Sequence, residues 1–341
     1  MKTAWVIGKK KIELIDVDYK KPEKDEVLVK VKACGICGTD LHFYNDFPGG
    51  MPIPLGHEVS GIVHEIGDNV SGLSVGQPVI IQNHIPCERC YQCLMGNIAH
   101  CRDIQTYMND TPAMAELIKV KQAMVIPFNG LNHTEAAVAE PLTVALDLMK
   151  EAHIQPFQNV CISGPGIIGL FCTKLSRISG AKTVTVLGRA FGTERGRIRK
   201  ETATEMGATS VVDTDEPDWK KAVKDIVPDG YERIIVTSPP RTIPEVFELA
   251  SFGATIVYNG ISFREEDITF NANNFHFKKL KLIASHAIPN WGFPLAFNLL
   301  ENKTFDYRRL VTHTFPFEKI KEAFKTATSS DEGVIKVIIT F

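Results

Sequence analysis

A short stretch of the chain places metal-binding and proton-transferring side chains close together, directly after an apolar run. Residues 34–42 read Cys-Gly-Ile-Cys-Gly-Thr-Asp-Leu-His, and residues 56–58 read Gly-His-Glu. Zn²⁺ accepts sulfur, imidazole nitrogen and carboxylate oxygen in tetrahedral geometry. Three protein ligands leave one position for water or substrate, which is the catalytic pattern. The spacing predicts one open zinc site, in which either Cys34 or Cys37 supplies the thiolate.

A second cluster of cysteines lies further along the chain, at Cys87, Cys90, Cys93 and Cys101. Separations of two residues let successive thiolates converge on one tetrahedral ion, and the fourth cysteine closes the site from the far side of a short lobe. A closed four-cysteine site has no room for substrate, so its zinc would be structural. An iron–sulfur cluster is the main alternative, because short cysteine spacings also bind those.

The middle of the chain carries a dinucleotide-binding pattern. Residues 159–163 read as a strand, residues 164–169 read Gly-Pro-Gly-Ile-Ile-Gly, and an apolar helix pattern follows through Leu175. Between a strand and a helix, these glycines allow a tight turn and a close approach of the pyrophosphate. Further strand patterns alternate with helix patterns at 182–187, 210–213, 233–236, 254–258 and 280–284. The alternation predicts a complete Rossmann sheet of six parallel strands.

The end of the second predicted strand bears on the choice of cofactor. NAD-binding units usually place an acidic residue there for the ribose 2′-hydroxyl, but here the strand ends in Gly188-Arg189. Basic residues follow at Arg195, Arg197, Arg199 and Lys200. Cationic side chains suit a 2′-phosphate, so the sequence favours NADP(H) over NAD(H). A solvated basic loop before a helix is the alternative.

Length and composition narrow the class of protein. A chain of 341 residues with 44% hydrophobic and 23% charged residues predicts a soluble globular protein of two domains. A net charge of −2 gives no reason to expect nucleic acid or an anionic membrane as a partner. No apolar run reaches the roughly 18 residues of a spanning helix, and no signal peptide is evident. We therefore expect a cytoplasmic protein.

The first part of the chain has the pattern of a β-rich domain. Residues 1–32 alternate apolar and polar positions, and residues 59–67 and 75–81 repeat the strand signal between glycines and prolines. Many short strands with such punctuation are typical of a barrel-like fold.

These motifs together give the chain a resemblance to a known family. They are Gly-Ile-Cys-Gly-Thr-Asp-x-His at 35–42, Gly-His-Glu at 56–58, the cysteine lobe, Glu-Pro-Leu at 140–142 and the glycine-rich turn. The chain resembles the zinc-dependent medium-chain dehydrogenase/reductase superfamily, and within it the sorbitol (polyol) and threonine dehydrogenase branch. The resemblance implies an α/β fold with a GroES-like, β-rich catalytic domain and a Rossmann doubly wound parallel sheet.

The same resemblance implies a division of the chain. The catalytic domain would span residues 1–148, with a structural zinc lobe at 84–104. The Rossmann domain would span 149–285, and a returning segment, 286–341, would complete the catalytic domain. The family also implies a homo-oligomer, either a dimer or a tetramer.

Roles for individual residues follow from the resemblance. Cys37, His57 and Glu58 would bind the catalytic zinc, with Cys34 a bystander, and Glu140 would bind it directly or through water. Thr39 and His42 match the proton relay. The predicted cofactor-binding residues are Gly164, Gly166, Ile168, Gly169, Gly188, Arg189, Arg199 and Gly260.

The expected function is a reversible oxidation of a secondary alcohol by a nicotinamide cofactor. Two zinc ions per chain are expected, one catalytic and one structural, with NADP(H) favoured. A small polyol or sugar-type substrate is the first expectation, and an amino alcohol, as in threonine dehydrogenases, is the second. A nucleotide-binding protein that keeps the fold without catalysis is the alternative from another class.

Overall fold

The structure is a computed structural model that describes residues 1–263, 266–288 and 291–341. The chain divides into two compact units. Unit 1 comprises Met1–Thr143, Ala287–Ser329 and Lys336–Phe341, and unit 2 comprises Val144–His286 and Ser330–Ile335. Unit 1 therefore combines residues from both ends of the sequence, with most of unit 2 inserted between them.

The regular elements follow one another along the chain as listed here. The strands are β1 (Lys2–Gly8), β2 (Lys11–Asp16), β3 (Glu26–Gly35), β4 (Ile53–Pro54), β5 (Glu58–Ile66), β6 (Pro78–Ile81), β7 (His84–Ile85), β8 (Gln105–Thr106), β9 (Leu117–Lys121), β10 (Val125–Pro127), β11 (Asn159–Ser163), β12 (Thr183–Gly188), β13 (Ser210–Asp213), β14 (Tyr231–Val236), β15 (Ala250–Tyr258), β16 (Lys281–Ala284), β17 (Val311–Pro316) and β18 (Lys336–Thr340). The α-helices are α1 (Gly38–Asn45), α2 (Tyr91–Leu94), α3 (His133–Ala137), α4 (Ala139–Ala152), α5 (Ile167–Ile178), α6 (Glu194–Glu205), α7 (Trp219–Ile226), α8 (Ile243–Val246), α9 (Ala272–Phe277), α10 (Phe293–Glu301), α11 (Tyr307–Leu310) and α12 (Ile320–Thr328). Short 3₁₀ turns lie at Ile98–His100, Gln122–Met124, Pro240–Thr242, Phe247–Leu249 and Phe317–Lys319.

Unit 1 is built on a mixed β-sheet whose central path runs β10-β6-β5-β3-β18-β17, with β9 also paired to β3. Its long strand β3 is almost entirely buried, as the apolar run at 27–31 predicts. At its end, Gly35 pairs with Glu58 of β5 on one side and with Ile338 of β18 on the other. The segment that follows β3 therefore begins next to the start of β5 and next to β18. The β-rich, GroES-like character expected of this part of the chain is confirmed.

Unit 2 contains a parallel six-stranded sheet in the order β13-β12-β11-β14-β15-β16. This is the order of a classical Rossmann sheet, with a topological switch between β11 and β14. Its strands bury apolar side chains, and Val160, Ile162, Ile234 and Ile256 are fully buried. Ligands of such folds bind outside the carboxyl ends of the strands at the switch. The predicted six-stranded Rossmann sheet is confirmed.

Within the described part of the chain, no helix is both long and apolar enough to cross a membrane.

Candidate functional site

Cys37, His57 and Glu58 converge in unit 1. One potential ligand atom from each lies within 4.8 Å of the others. The convergence follows from the sheet, because Cys37 comes two residues after β3 ends and His57 comes immediately before β5, and the ladder between these strands pairs Gly35 with Glu58. His57 is 6% exposed and Glu58 is 1% exposed. A partly exposed thiol beside a buried imidazole and a buried carboxylate forms the donor set that zinc prefers.

Asp40 fixes the two loops that carry these groups. Its Oδ2 accepts a hydrogen bond from the backbone N–H of Cys37 at 2.9 Å, and its Oδ1 accepts one from the backbone N–H of Gly56 at 3.0 Å. Asp40 is 3% exposed, so both bonds are shielded from water. The first bond also caps the N-terminus of α1 at Cys37. One carboxylate therefore sets the positions of both the Cys37 loop and the His57 loop.

The geometry distinguishes between the two cysteines that the spacing left open. Cys34 is fully buried, its Sγ donates to the carbonyl of Gly35 at 3.7 Å, and it is not among the three converging groups. Burial, reinforced by Asp40 and Glu58, raises the pKa of the Cys34 thiol well above its usual range. Cys34 is therefore held as a neutral thiol. The arrangement favours Cys37 as the thiolate donor.

His57 lies in a strongly negative environment. Burial by itself lowers the pKa of His57, but Cys37, which is within hydrogen-bonding reach, together with Asp40 and Glu140, raises it well above its usual value. The surrounding thiol and carboxylates thus favour a positive charge at this position. A bound dication would supply that charge, so the residues fit a zinc ion on electrostatic grounds as well as by donor type.

Lys336 of β18 reaches into the same place, with its side chain 4% exposed. Its Nζ donates to both carboxylate oxygens of Glu58, at 2.6 Å and 2.8 Å, and to the carbonyl of Ile36 at 3.0 Å. Burial lowers the pKa of Lys336, but Glu58 and then Cys37 raise it above its usual value, so the ammonium stays charged. Glu58, predicted as a zinc ligand, therefore has both oxygens engaged by a cation of the protein.

The Glu58 carboxylate also explains a glycine of the first motif. A Cβ at Gly35 would lie 1.8 Å from Oε2 of Glu58. Any side chain at this position would displace the carboxylate from Lys336, so the close approach requires glycine.

Glu140 lies in the first turn of the helix α4, beside the three converging groups but not among them. It is 9% exposed, and its Oε1 accepts a hydrogen bond from Asn83 at 3.0 Å. Thr106 in turn donates to the carbonyl of Asn83 at 2.8 Å. Burial raises the pKa of Glu140, while His57 lowers it and Glu58 raises it further, so the three groups share one electrostatic environment.

Thr39 and His42 lie three residues apart on the eight-residue helix α1. Residues at this spacing are neighbours on one helix face. His42 is partly exposed and its Nδ1 lies 3.8 Å from the carboxylate of Asp46. The two residues are thus placed side by side on the helix that begins at Cys37, whereas their role as a relay stays a prediction.

The four cysteines of the lobe gather as predicted from their spacing. Their sulfur atoms all lie within 4.8 Å of one another. The Cys90 sulfur is 3.6 Å from that of Cys93 and 4.0 Å from that of Cys101. Tetrahedral zinc with bonds of about 2.3 Å requires sulfur separations of about 3.8 Å, which lies between these distances.

Backbone groups around the lobe favour thiolates. The N–H groups of Cys90, Cys87 and Asp103 point at cysteine sulfurs, at 3.3–3.4 Å. Backbone hydrogen bonds, from Arg102 first and then from Cys93, lower the pKa of Cys90 to about 6. Desolvation and then the Cys90 thiol, by contrast, raise the pKa of Cys93, so it is the number and spacing of the four sulfur atoms that fit a structural zinc ion.

In unit 2, the glycines of the turn after β11 differ in their surroundings and backbone conformation. A Cβ at Gly169 would lie 2.0 Å from the carbonyl oxygen of Gly164, and Gly164 itself has a positive φ of 105°. A Cβ at Gly166, by contrast, would meet nothing within 4 Å. The turn is therefore packed at its first and third glycines and open at its second, at the N-cap of α5. This is the arrangement in which a pyrophosphate approaches the helix N-terminus.

Two other predicted cofactor residues are also glycines that permit close contacts. A Cβ at Gly188 would lie 2.5 Å from the ring of Phe191, and one at Gly260 would lie 2.1 Å from the carbonyl oxygen of Ser238. Ile168 lies in the first turn of α5, beside Gly169. These residues surround the carboxyl ends of β11, β12 and β15, where a nucleotide would lie.

The basic residues after β12 differ in how far other residues of the chain engage their side chains. Arg197 is held by Glu194 and Glu201, both at 2.6 Å, and Arg199 donates to the carbonyl of Val334 at 3.3 Å. Arg189 keeps 71% of its side chain exposed and lies 3.3 Å from Asp215. Arg189 is therefore the best placed of these three to meet a ligand, since helix partners engage Arg197 and the 330–335 segment engages Arg199.

Comparisons with known proteins agree with the two halves of this description. A family model described as an alcohol dehydrogenase GroES-like domain matches residues 23–130, and one described as a zinc-binding dehydrogenase matches residues 168–301. The L-threonine 3-dehydrogenase of Thermococcus kodakarensis is 30% identical over 349 residues, covering 98% of this chain and 96% of that protein. The chain belongs to the zinc-dependent medium-chain dehydrogenase/reductase superfamily.

Two further relatives extend the likeness of this dehydrogenase along its whole length. The sorbitol dehydrogenase of Bacillus subtilis (strain 168) is 28% identical over 354 residues, covering 99% of this chain and 97% of that protein. A solved zinc-binding dehydrogenase from Sinorhizobium meliloti 1021, bound to NADP, is 27% identical and superposes with a TM-score of 0.88, covering 100% of this chain and 99% of that one. The predicted polyol and threonine dehydrogenase branch is confirmed.

Sequence reasoning missed three residues that surround the converging groups of this dehydrogenase. Asp40 was visible in the motif but received no role, and Asn83 has no motif around it. Lys336 carried the clearest signal, because a lysine inside the apolar run at 334–339 must find a partner if the run is a buried strand.

Proposed function

We propose that this zinc-dependent dehydrogenase oxidises a secondary hydroxyl group of a polyol or sugar-type substrate. The observation that carries the proposal is the convergence of Cys37, His57 and Glu58 within 4.8 Å, in the unit that also holds the cysteine lobe. In this proposal unit 1 is the catalytic domain and unit 2 holds the nicotinamide cofactor. Each chain would hold one catalytic and one structural zinc ion.

Several residues of unit 1 would act at the catalytic ion, each in a different role. Cys37 and His57 would hold it, and Glu58 or Glu140 would complete the protein ligands. When bound, zinc supplies Lewis-acid chemistry that polarises a substrate oxygen and lowers the pKa of its hydroxyl. Lys336 offsets part of the negative charge of the ligands. Asp40 holds the two ligand loops together by accepting a hydrogen bond from each.

A proton must leave the substrate hydroxyl as its carbon gives up a hydride to the nicotinamide ring. We assign the first transfer to the Thr39 hydroxyl and the second to the imidazole of His42, whose ring is partly exposed and can release the proton to water. The electron pair of the carbon–hydrogen bond leaves as the hydride. The electron pair of the broken oxygen–hydrogen bond becomes the second carbon–oxygen bond of the carbonyl.

The Thr39 assignment is tested with Thr39→Val, which keeps the side-chain shape and removes the hydroxyl. Turnover should fall about 10²-fold or more, while zinc content and cofactor binding stay unchanged. Thr3→Val, in a buried threonine on β1, is a matched control for loss of a hydroxyl. Full turnover in Thr39→Val would exclude the relay and leave the metal assignment standing.

The preference for NADP(H) rests on Arg189 and on the absence of an acidic residue at the end of β12. Arg189 is exposed beside Asp215, and its guanidinium could exchange that partner for a 2′-phosphate. Arg189→Ala should raise the KM for NADP⁺ at least about tenfold, with little change for NAD⁺. Arg197→Ala is the control, since its guanidinium is already engaged by two glutamates. Equal or better use of NAD⁺ by the unmodified enzyme would defeat the preference.

An amino-alcohol substrate is the second candidate. It is favoured by the similarity to a threonine dehydrogenase and by the buried carboxylate of Glu140, which could face a substrate ammonium group. Steady-state assays with a panel of polyols, sugar phosphates and amino alcohols, each with both cofactors, separate the two. A kcat/KM that is highest for an amino alcohol would overturn the polyol assignment without affecting the zinc chemistry.

The homo-oligomeric state and the cytoplasmic location predicted from the sequence remain predictions. Light scattering of the purified chain and fractionation of its cells would test them.

A further inference from the structure

A concave site in unit 1 is lined by none of the three converging groups. It is a cavity of about 380 Å³ between the turn that joins β1 to β2, the C-terminal half of α1 and the start of α12. The turn and α1 are tied together, because the backbone N–H of Lys10 donates to the carbonyl of Tyr44 at 2.6 Å. A volume of this size falls in the range of small-molecule sites, roughly 300–1,000 Å³.

The charged residues that line this cavity are mainly cationic. They are Lys10, Lys11 and Lys321, with Glu13 as the one acidic residue, and Ile7, Ile12 and Tyr44 complete the lining. In the part of the chain that the structure describes, none of the three lysines has an ion-pair partner, whereas Lys319 nearby pairs with Glu322 at 3.7 Å. Three like charges around one concavity repel one another, and an anion placed among them relieves that repulsion.

Tyr44 lines the cavity from α1. Its ring is 9% exposed and packs against Phe324, with the ring centroids 5.3 Å apart. Its hydroxyl has no hydrogen-bond partner among the described residues. Tyr44 also belongs to α1, the helix that carries Thr39 and His42.

We propose that this cavity binds a small phosphomonoester that also carries hydroxyl groups. The three ammonium groups would bind the phosphate, because lysine binds phosphate as a point charge. Glu13 would accept a hydrogen bond from a ligand hydroxyl, which bare phosphate could not offer to the same degree. Because Tyr44 and His42 share a short helix, an occupant would act on the helix that carries the proposed relay.

The proposal is tested by isothermal titration calorimetry on the full zinc-loaded chain, with glycerol 3-phosphate as the probe and ionic strength held constant with sodium chloride. We expect saturable binding with a Kd of about 1 mM or tighter. The double variant Lys10→Gln, Lys321→Gln should weaken it at least about tenfold. Lys325→Gln, also exposed on α12 but outside the lining, should leave it unchanged.

Three results would overturn the proposal. The first is no saturable heat with the unmodified chain. The second is equal affinity in the double variant, which would place the probe at another site such as the active site. The third is an equal loss in Lys325→Gln, which would reduce the effect to general surface charge. Inorganic phosphate, titrated in parallel, should bind more weakly than glycerol 3-phosphate, and equal affinity would remove the role of Glu13.

Discussion

Lys336 and Glu58 form a buried ion pair between residues 278 positions apart in the sequence, with Nζ at 2.6 Å and 2.8 Å from the two carboxylate oxygens. The pair joins the last strand of unit 1 to the first residue of β5, next to the proposed zinc ligands Cys37 and His57. It is a structural support of the site as well as a part of its charge balance.

Removing the cation of this pair should be strongly destabilising. Lys336→Met leaves the Glu58 carboxylate buried without its partner, and we expect a loss of about 3–5 kcal/mol in the free energy of unfolding. Urea unfolding of the zinc-free chain measures it. Lys319→Met, which breaks an exposed pair, should cost less than about 1 kcal/mol.

A second variant separates charge from packing at the same place. Adding Glu58→Gln to Lys336→Met removes the uncompensated charge, so much of the lost stability should return. If the double variant is no more stable than Lys336→Met alone, the effect of Lys336 comes from packing and not from the ion pair.

Asp40 should control how tightly the catalytic zinc is held, although it is not one of the converging groups. Asp40→Ala frees the backbone N–H groups of Cys37 and Gly56 and lets the two loops separate. We expect zinc affinity at this site to fall about 10–100-fold, as measured by competition with a chelator. Asp68→Ala, at an exposed turn of the same unit, should have no effect. An unchanged affinity in Asp40→Ala would show that the sheet alone positions the loops.

The two zinc sites should be separable by mutation. Cys101→Ser removes a thiolate from the lobe, and we expect the chain to lose the lobe's ion while retaining the catalytic one. Cys34→Ser changes the other cysteine of the motif that contains Cys37. Cys34 belongs neither to the cysteine lobe nor to the three converging groups, so the zinc content should stay as in the unmodified chain. Metal analysis of the purified variants decides the matter, and loss of zinc from Cys34→Ser would contradict the assignment to Cys37.

Tyr107 carries a buried hydroxyl without a partner among the described residues. Burial, followed by the influence of Cys34, Glu140 and Asp40, raises the pKa of Tyr107 well above its usual value. Tyr107→Phe removes that desolvated group, so the free energy of unfolding should rise by about 1–3 kcal/mol. Tyr231→Phe is the matched control, because its hydroxyl donates to Thr185 at 2.8 Å and its loss should be destabilising by about 1 kcal/mol. A loss of stability in Tyr107→Phe would mean that the hydroxyl has a partner in solution.

His133 should make the stability of the chain depend on pH. Its ring bonds with the buried hydroxyl of Ser60 at 2.7 Å, and burial, followed by the nearby Lys32, lowers its pKa below the usual value of 6.5. The unfolded chain therefore binds the proton more readily, and stability is lost as the pH falls below 6.5 towards the folded pKa. The difference in unfolding free energy between about pH 8 and about pH 5 should be smaller in His133→Asn. An equal difference would exclude His133 as a contributor.

The parts of the site that could be predicted from the sequence are those with local spacing. Cys37 lies in one motif, His57 and Glu58 lie in another, and the cysteines of the lobe repeat at short intervals, so each motif is visible without knowledge of the fold. The Rossmann sheet is visible for a similar reason, since its glycines lie between a strand pattern and a helix pattern. These are properties of short segments.

The partners of the predicted residues depend on distant segments and could not be predicted in the same way. Glu58 reads as a free ligand until β18 brings Lys336 to it, and only the strand pairing shows that both oxygens are engaged. Arg197 reads as a phosphate-binding residue, but glutamates three residues before it and four after it hold its guanidinium. That second case was accessible from helix spacing, because residues three and four apart lie on one face.

The position of β18 in the sheet has a consequence for how the protein is made. The edge of β3 at residues 33–35 pairs with β18, and β18 emerges from the ribosome only after the whole of Val144–His286. Until then a nascent chain exposes this strand edge and a Glu58 that lacks Lys336, while the segment Val144–His286 of unit 2 already contains all six strands of its sheet. Chains interrupted before residue 336 would keep an unpaired edge, which is a template for aggregation and a signal for chaperones and proteases. The completion of unit 1 therefore requires translation through β18, because only then do the β3 edge and Glu58 gain their partners.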